Sequence, residues 1–204
     1  MTSISTLARA ARLGSTRKRG VTLIEAVLYI SIALALIVGG LVFFQQASLA
    51  QRANSAVRNI SAIASESRSL YAQQNSFSGL TQTALVNAGS IPTSLISGTD
   101  LKNEWCGVIE VASTGGTGAN ADSGFTLIYP SLPRAACVRL TNTDSAGSGR
   151  VGSGIRSIAF RAPGGTWSSE VLPASNGLSP TAIVATGLCT QTGGIVDVRF
   201  TFNR

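Results

Sequence analysis

The run Ala26 to Phe44, AVLYISIALALIVGGLVFF, carries no charge, and the basic residues before it stop at Arg19. As a helix rising 1.5 Å per residue it is ~29 Å long, close to the thickness of a bilayer core. A helix that is greasy all round needs cover on every side, from lipid or from other chains. Gly39-Gly40 is its weak point, since each glycine costs about 1 kcal/mol relative to alanine inside a helix. One carboxylate, Glu25, stands at the mouth of the run. A carboxylate at the edge of a membrane-length helix is unfavourable unless something pairs with it.

The same helix is predicted to continue. Neither Gly nor Pro occurs from Leu41 to Asn75. Leu49, Ala53, Val57, Ile60, Ala64 and Tyr71 recur at helical spacing and share one face, while Gln51, Arg52, Asn59, Glu66 and Arg68 fall largely elsewhere. A helix from Val21 to Gln74 would be ~80 Å long. Its second half is amphipathic and needs a domain against its stripe.

Residues 75–204 would supply that domain. The stretch to Asn103 is loop-rich, broken by Gly79, Gly89, Pro92 and Gly98, with a short helix over Thr83 to Ala88. Cys106 to Val111 and Phe125 to Tyr129 read as strands, separated by the flexible run beginning Ser113-Thr-Gly-Gly. Ser131 to Leu140 reads as a helix, with Ser131 as cap and Pro133 in the first turn. Gly154 to Arg161 reads as a strand. Ser179-Pro180 opens a helix to about Cys189. Ile195 to Phe202 alternates, placing Val196, Val198, Phe200 and Phe202 on one side and Asp197, Arg199 and Thr201 on the other, the pattern of a half-buried strand. The fold class expected is α+β: a long N-terminal helix, its first half transmembrane, packed on an antiparallel sheet. The organisation expected is a basic leader over 1–20, a membrane or core helix over 21–44, its amphipathic continuation over 45–74, and an extracytoplasmic domain over 75–204.

Charge sharpens this division. The net charge is +7, but Arg9, Arg12, Arg17, Lys18 and Arg19 all precede Gly20; without these five, eleven basic residues face nine acidic ones. The positive-inside rule assigns that cluster to holding the N-terminus cytoplasmic. A nucleic-acid binder would instead place its basic residues on a folded face. Arg134, Arg139, Arg150, Arg156 and Arg161 come closest to such a cluster and read as a solvated surface. Only 12% of residues are charged, against about 25% in ordinary domains. That composition suits a surface that packs against copies of itself, and equally an uncharged extracellular coat. With no His in the chain, the commonest general base and zinc ligand is missing. No GxSxG, phosphate loop or usable carboxylate pair occurs either, so the chain reads as a non-enzyme without cofactor or metal.

With one helix spanning, residues 75–204 face an oxidising space in which a disulfide forms. Three cysteines allow three pairings. Cys137–Cys189 is favoured because both lie at or near the ends of short helices. Closing that loop would stabilise by roughly 4 kcal/mol in the chain-entropy model. Cys106–Cys137 stays open as an alternative. In the favoured scheme Cys106 is a free thiol buried beside Trp105.

The order basic leader, Gly20, Val-Thr-Leu-Ile, Glu25, apolar helix closely resembles the prepilin signature of type IV pilins. A leader of 20 residues and a start at Val21 rather than Phe resemble the type IVb branch. Downstream, Tyr71, Phe77-Ser-Gly-Leu80, Pro92 and Lys102-Asn-Glu-Trp-Cys-Gly107 are similar to a pattern in thin-pilus major pilins of conjugative plasmids. There an Asn-Pro-Trp-Gly-Gly-like stretch occurs at this spacing; here Glu104 replaces Pro and Cys106 replaces Gly.

The resemblance implies that a prepilin peptidase cuts between Gly20 and Val21 and methylates the new Val21 amine. Glu25 would then pair with the Val21 amine of a neighbouring subunit, neutralising both charges in a low-dielectric core. The implied function is a structural subunit, the major pilin, of a homo-oligomeric helical filament used for adhesion, aggregation or conjugative mating contact. It would sit in the inner membrane as precursor, with the assembly machinery as partner, and then in an extracellular fimbrium. The alternative is a type II secretion pseudopilin or minor pilin with the same processing. Several pseudopilins bind calcium through clustered carboxylates, whereas Asp100, Asp122, Asp144 and Asp197 are isolated along this chain.

Overall fold

A computed structural model describes residues 22–89, 91–115, 122–171, 177–190 and 193–204. Contacts divide the chain between Phe44 and Gln45 into two units. Helix α1, Leu23–Leu70, contributes to both. Its start follows from local chemistry: the Thr22 hydroxyl accepts from the Glu25 amide at 3.4 Å, and the Thr22 carbonyl accepts from the Ala26 amide. This is the threonine half of a capping box, and it satisfies one of the amides a helix start leaves unpaired. The helix ends at Leu70, four residues before the expected Gln74; turns carry the chain on to Asn75.

The second unit is built on a six-stranded antiparallel sheet in the order β1-β2-β3-β4-β6-β5. The strands are β1 (Ile96–Ser97), β2 (Asp100–Lys102), β3 (Val108–Ser113), β4 (Gly124–Pro133), β5 (Ile155–Arg161) and β6 (Ile195–Asn203). Three short helices complete it: α2 (Gln82–Asn87), α3 (Arg134–Thr141) and α4 (Pro180–Ala185). The stripe of α1 enters this core through Ala53, Ala56, Ile60, Ile63, Ala64 and Ser67. The facing side of the sheet supplies Phe125, Leu127, Tyr129, Phe200 and Phe202, all fully buried. Arg68 closes the seam. Its guanidinium donates to the carbonyls of Ser153 and Asn203 and lies 5.9 and 5.5 Å from the ring centres of Phe125 and Phe202.

Several sequence expectations change. Ser131 does not cap a helix. It lies inside β4 with φ +60°, at a register shift against β6, and α3 begins only after Pro133. The cause is Asp197, whose carboxylate accepts from the Ser131 amide at 3.0 Å and holds the extra residue of this bulge. Nor is β6 half-buried. It lies between β4 and β5, and Asp197 and Thr201 are buried on its polar side. Asp197 is paired there with Arg161 at 3.0 Å. Trp167 has both guanidinium groups over its ring, Arg161 at 4.3 Å and Arg199 at 4.8 Å. Strand β3 starts at Val108 rather than Cys106, because residues 103–107 form a turn. Helix α4 stops at Ala185. The glycine-rich run after Ser113 lies outside the described residues from 116 onward.

Candidate assembly site

In the first unit, Leu23 to Phe44 presents apolar side chains all round, with Leu23 83%, Leu36 71% and Phe43 74% exposed. By length and composition this helix can cross a membrane. Glu25 sits in its first turn and is exposed. Its backbone amide is held by Thr22, but no donor reaches its carboxylate among the described residues. The positive end of the helix macrodipole favours this charge, a contribution of about 0.3–1 kcal/mol at an exposed site. Gly20 and Val21, the expected cleavage and methylation positions, lie outside the described residues. Thr22 had no assigned part in the sequence reading, although Thr-x-x-Glu ahead of an apolar run is a helix-start signature.

The second unit carries its own staples. Cys137, in α3, is disulfide-bonded to Cys189, beyond α4, with Cα atoms 5.9 Å apart; both are buried. This is the favoured pairing, and it leaves Cys106 free. Cys106 is exposed, however, contrary to the buried position expected beside Trp105. Asn103 explains this. Its side-chain oxygen accepts from the amides of Trp105 and Gly107, its amide nitrogen donates to the Pro130 carbonyl, and its backbone bonds to Gly107. The turn so formed aims Cys106 outward with φ +64°. Gly107 is needed for close approach, since a Cβ there would lie 2.7 Å from Pro130 Cγ.

Glu104 forms a second staple. One oxygen accepts from Asn59 of α1, the other from the hydroxyl of Tyr129 on β4. Burial and then this hydrogen bond hold the Tyr129 phenol well above its ordinary pKa. Nothing in the sequence pairs positions 59, 104 and 129, so this tie was not foreseen.

Three of the four aspartates considered as cation ligands are engaged by other groups of the chain. Asp122 accepts from the Gly115 amide, Asp144 from the Ala146 and Ser148 amides, and Asp197 as above. No cluster of three or more His, Cys, Asp or Glu suited to a metal occurs among the described residues. Of the arginines read as a solvated surface, Arg161 pairs with Asp197 and Arg150 reaches Asn54, while Arg134 and Arg139 lie exposed on α3.

A greasy N-terminal helix, an amphipathic continuation and an antiparallel sheet with a C-terminal disulfide together define a type IV pilin. Comparison with known proteins agrees. The family model "PilS N terminal" matches residues 50–165. The "Major structural subunit of bundle-forming pilus" of Escherichia coli O127:H6 (strain E2348/69 / EPEC) is 30% identical over 140 residues, covering 68% of this chain and 70% of that protein. The subunit of the same description from Escherichia coli O111:H- matches equally. Two crystal structures share the fold. A type IV b pilin from Salmonella typhi has TM-score 0.50 and 20% identity, covering 72% of this chain and 97% of that one. TcpA, a type IV pilin from Vibrio cholerae El Tor biotype, has TM-score 0.50 and 18% identity, covering 74% and 98%. The chain belongs to the PilS N terminal family and is a type IV pilin, a structural subunit and not an enzyme.

Proposed function

We propose that this chain is the major subunit of a type IVb pilus, held in the inner membrane as a precursor and polymerised through the helix over 21–44. The observation that carries the reading is the exposed apolar surface of Leu23 to Phe44, with the carboxylate of Glu25 at its start and no donor to it among the described residues. Lipid covers such a surface before assembly, and the same segments of neighbouring copies cover it afterwards. A prepilin peptidase removes residues 1–20 after Gly20, leaving the apolar segment at the new N-terminus, and methylates Val21. The α-amine so created is largely protonated at neutral pH, with a pKa of about 7.7–8.0. Glu25 of one copy pairs with that amine in the next, which sets axial register. Residues 45–74 join the helix to the domain over 75–204, which forms the outside of an extracellular filament that serves adhesion, aggregation or mating contact. The curated relatives, described as major subunits of a bundle-forming pilus, favour this over a pseudopilin.

The test is Glu25→Ala. Intact-mass spectrometry should find the chain cut after Gly20 and methylated, as in the wild type, while electron microscopy of sheared cell-surface material finds filaments lost. Normal filament yield from this variant would overturn the pairing. Wild-type filaments whose subunits retain residues 1–20 would overturn the processing.

A further inference from the structure

On the face of the sheet opposite α1 lies a cavity of about 310 Å³, within the size range of small-ligand sites. Phe125, Phe200 and Phe202 point to the core, so by alternation Thr126, Arg199 and Thr201 point the other way. These three line the cavity together with Arg156, Glu170 and Thr114.

Arg156 reaches it through a defect in the ladder. Ile155 pairs with Phe202 and Ser157 with Thr201, so Arg156 is one residue too many on β5. In a regular strand the neighbour of outward-facing Ser157 would turn inward. The bulge instead leaves Arg156 exposed and sends its side chain to the cavity. It has no ion-pair partner among the described residues.

Arg199, by contrast, is braced. Its guanidinium lies 4.8 Å from the Trp167 ring centre and bonds Glu170 at 3.4 Å, while its buried Nε has no partner among the described residues. Glu170 also accepts from Ser157. The cavity therefore holds two guanidinium groups against one carboxylate.

The hydroxyls narrow the ligand further. Thr114 and Thr126 spend their protons on the carbonyls of Gly124 and Ala112. Their remaining lone pairs accept, as does Glu170. A sulfate brings only acceptors, and a phosphate offers at most one or two hydroxyl donors while placing up to two negative charges beside Glu170. A ligand with one carboxylate for the arginines and several hydroxyl donors matches Arg156, Arg199, Glu170, Thr114 and Thr126 together.

We propose that this cavity binds a carboxylated sugar residue, its carboxylate on Arg156 and Arg199 and its hydroxyls on Glu170 and the threonines. The described lining residues all belong to the second unit, so an unassembled chain already carries the site.

The test uses the full chain in detergent micelles, titrated with glucuronate, N-acetylneuraminate, glucose, acetate and inorganic phosphate. Saturation-transfer NMR and calorimetry report binding. At least one acidic sugar should bind, with the neutral sugar, acetate and phosphate weaker by roughly tenfold, the worth of one lost charge-assisted contact. Glucuronate points to a uronic-acid polysaccharide, N-acetylneuraminate to a sialylated cell-surface glycan. Arg156→Gln should weaken the preferred sugar by about tenfold and Arg156→Lys by less, since lysine keeps the charge but loses the fork. Both variants should melt with the wild type. The proposal is overturned if neither acidic sugar binds, if acetate or phosphate binds as well as they do, or if Arg156→Gln binds like the wild type. Such failure would leave the filament reading untouched, because the chain in this experiment is unassembled.

Discussion

Residues 23–44 and 45–70 belong to one helix and bury opposite fractions of their apolar surface. In the first stretch Ile30, Leu34 and Ile37 are each more than half exposed. In the second, Ala56, Ile60 and Ile63 are completely buried. Hydrophobicity alone does not separate them, since isoleucine occurs in both. Pattern does. The first stretch has no polar face, so a single sheet could never cover it. The second has a stripe wide enough for one sheet and polar residues for the remainder. A chain can complete the second stretch by itself, whereas the first requires lipid or other copies of the helix.

The largest effect that tests this contrast is a matched pair of truncations. Ile60→Ala removes a fully buried side chain and should destabilise the second unit by about 2–5 kcal/mol. Ile37→Ala, at a site 57% exposed, should change it by less than about 0.5 kcal/mol. Thermal unfolding of the full chain in detergent, followed by near-ultraviolet circular dichroism, reads both. Equal losses would mean that the first stretch also packs within its own chain.

A smaller effect comes from the polar tie that holds the second stretch to the sheet. Glu104→Ala leaves the Tyr129 hydroxyl and the Asn59 amide without their acceptor, a cost of about 1–3 kcal/mol. The same tie carries a pH signature. Burial, and then Glu104, raise the Tyr129 phenol above its ordinary pKa, so the folded state favours the neutral form. That stabilisation is complete below the unfolded value of about 10 and is lost progressively above it, as the unfolded chain ionises first. The melting temperature of Tyr129→Phe should therefore fall less steeply than that of the wild type above about pH 10. Parallel curves would show that the hydroxyl is solvated.

What was legible in the sequence follows the same division. The greasy stretch, the amphipathic stripe and the antiparallel α+β class can be read because composition and period decide them locally. The Cys137–Cys189 pairing could be favoured because few cysteines compete. Strand β6 was misjudged because its polar alternation resembles a wet face. The partners of the buried Asp197 are Ser131 and Arg161, 66 and 36 residues away, and no local pattern announces them. Ser131 misled for the same reason: a serine two positions before a proline has the chemistry of a cap, and only the distant carboxylate turns it into a bulge. The lining of the outer cavity was hidden likewise, since a register shift in β5 decides where Arg156 points.

The smallest effect concerns the turn at 103–107. Cys106 holds φ +64°, a conformation that costs a residue bearing a Cβ roughly 1–2 kcal/mol and glycine almost nothing. Glycine also loosens the unfolded chain, which returns about 0.4–1 kcal/mol of that gain. The balance predicts that Cys106→Gly stabilises by about 0.5–1 kcal/mol, a rise of a few degrees at most in melting temperature for a domain of this size. Cys106→Ala retains the Cβ and should melt with the wild type. Because the thiol is exposed, it should also react with a maleimide in the folded chain without denaturant. If labelling required unfolding, or if alanine stabilised as much as glycine, the thiol would be packed as the sequence reading supposed, and the left-handed turn built on Asn103 would have to be abandoned.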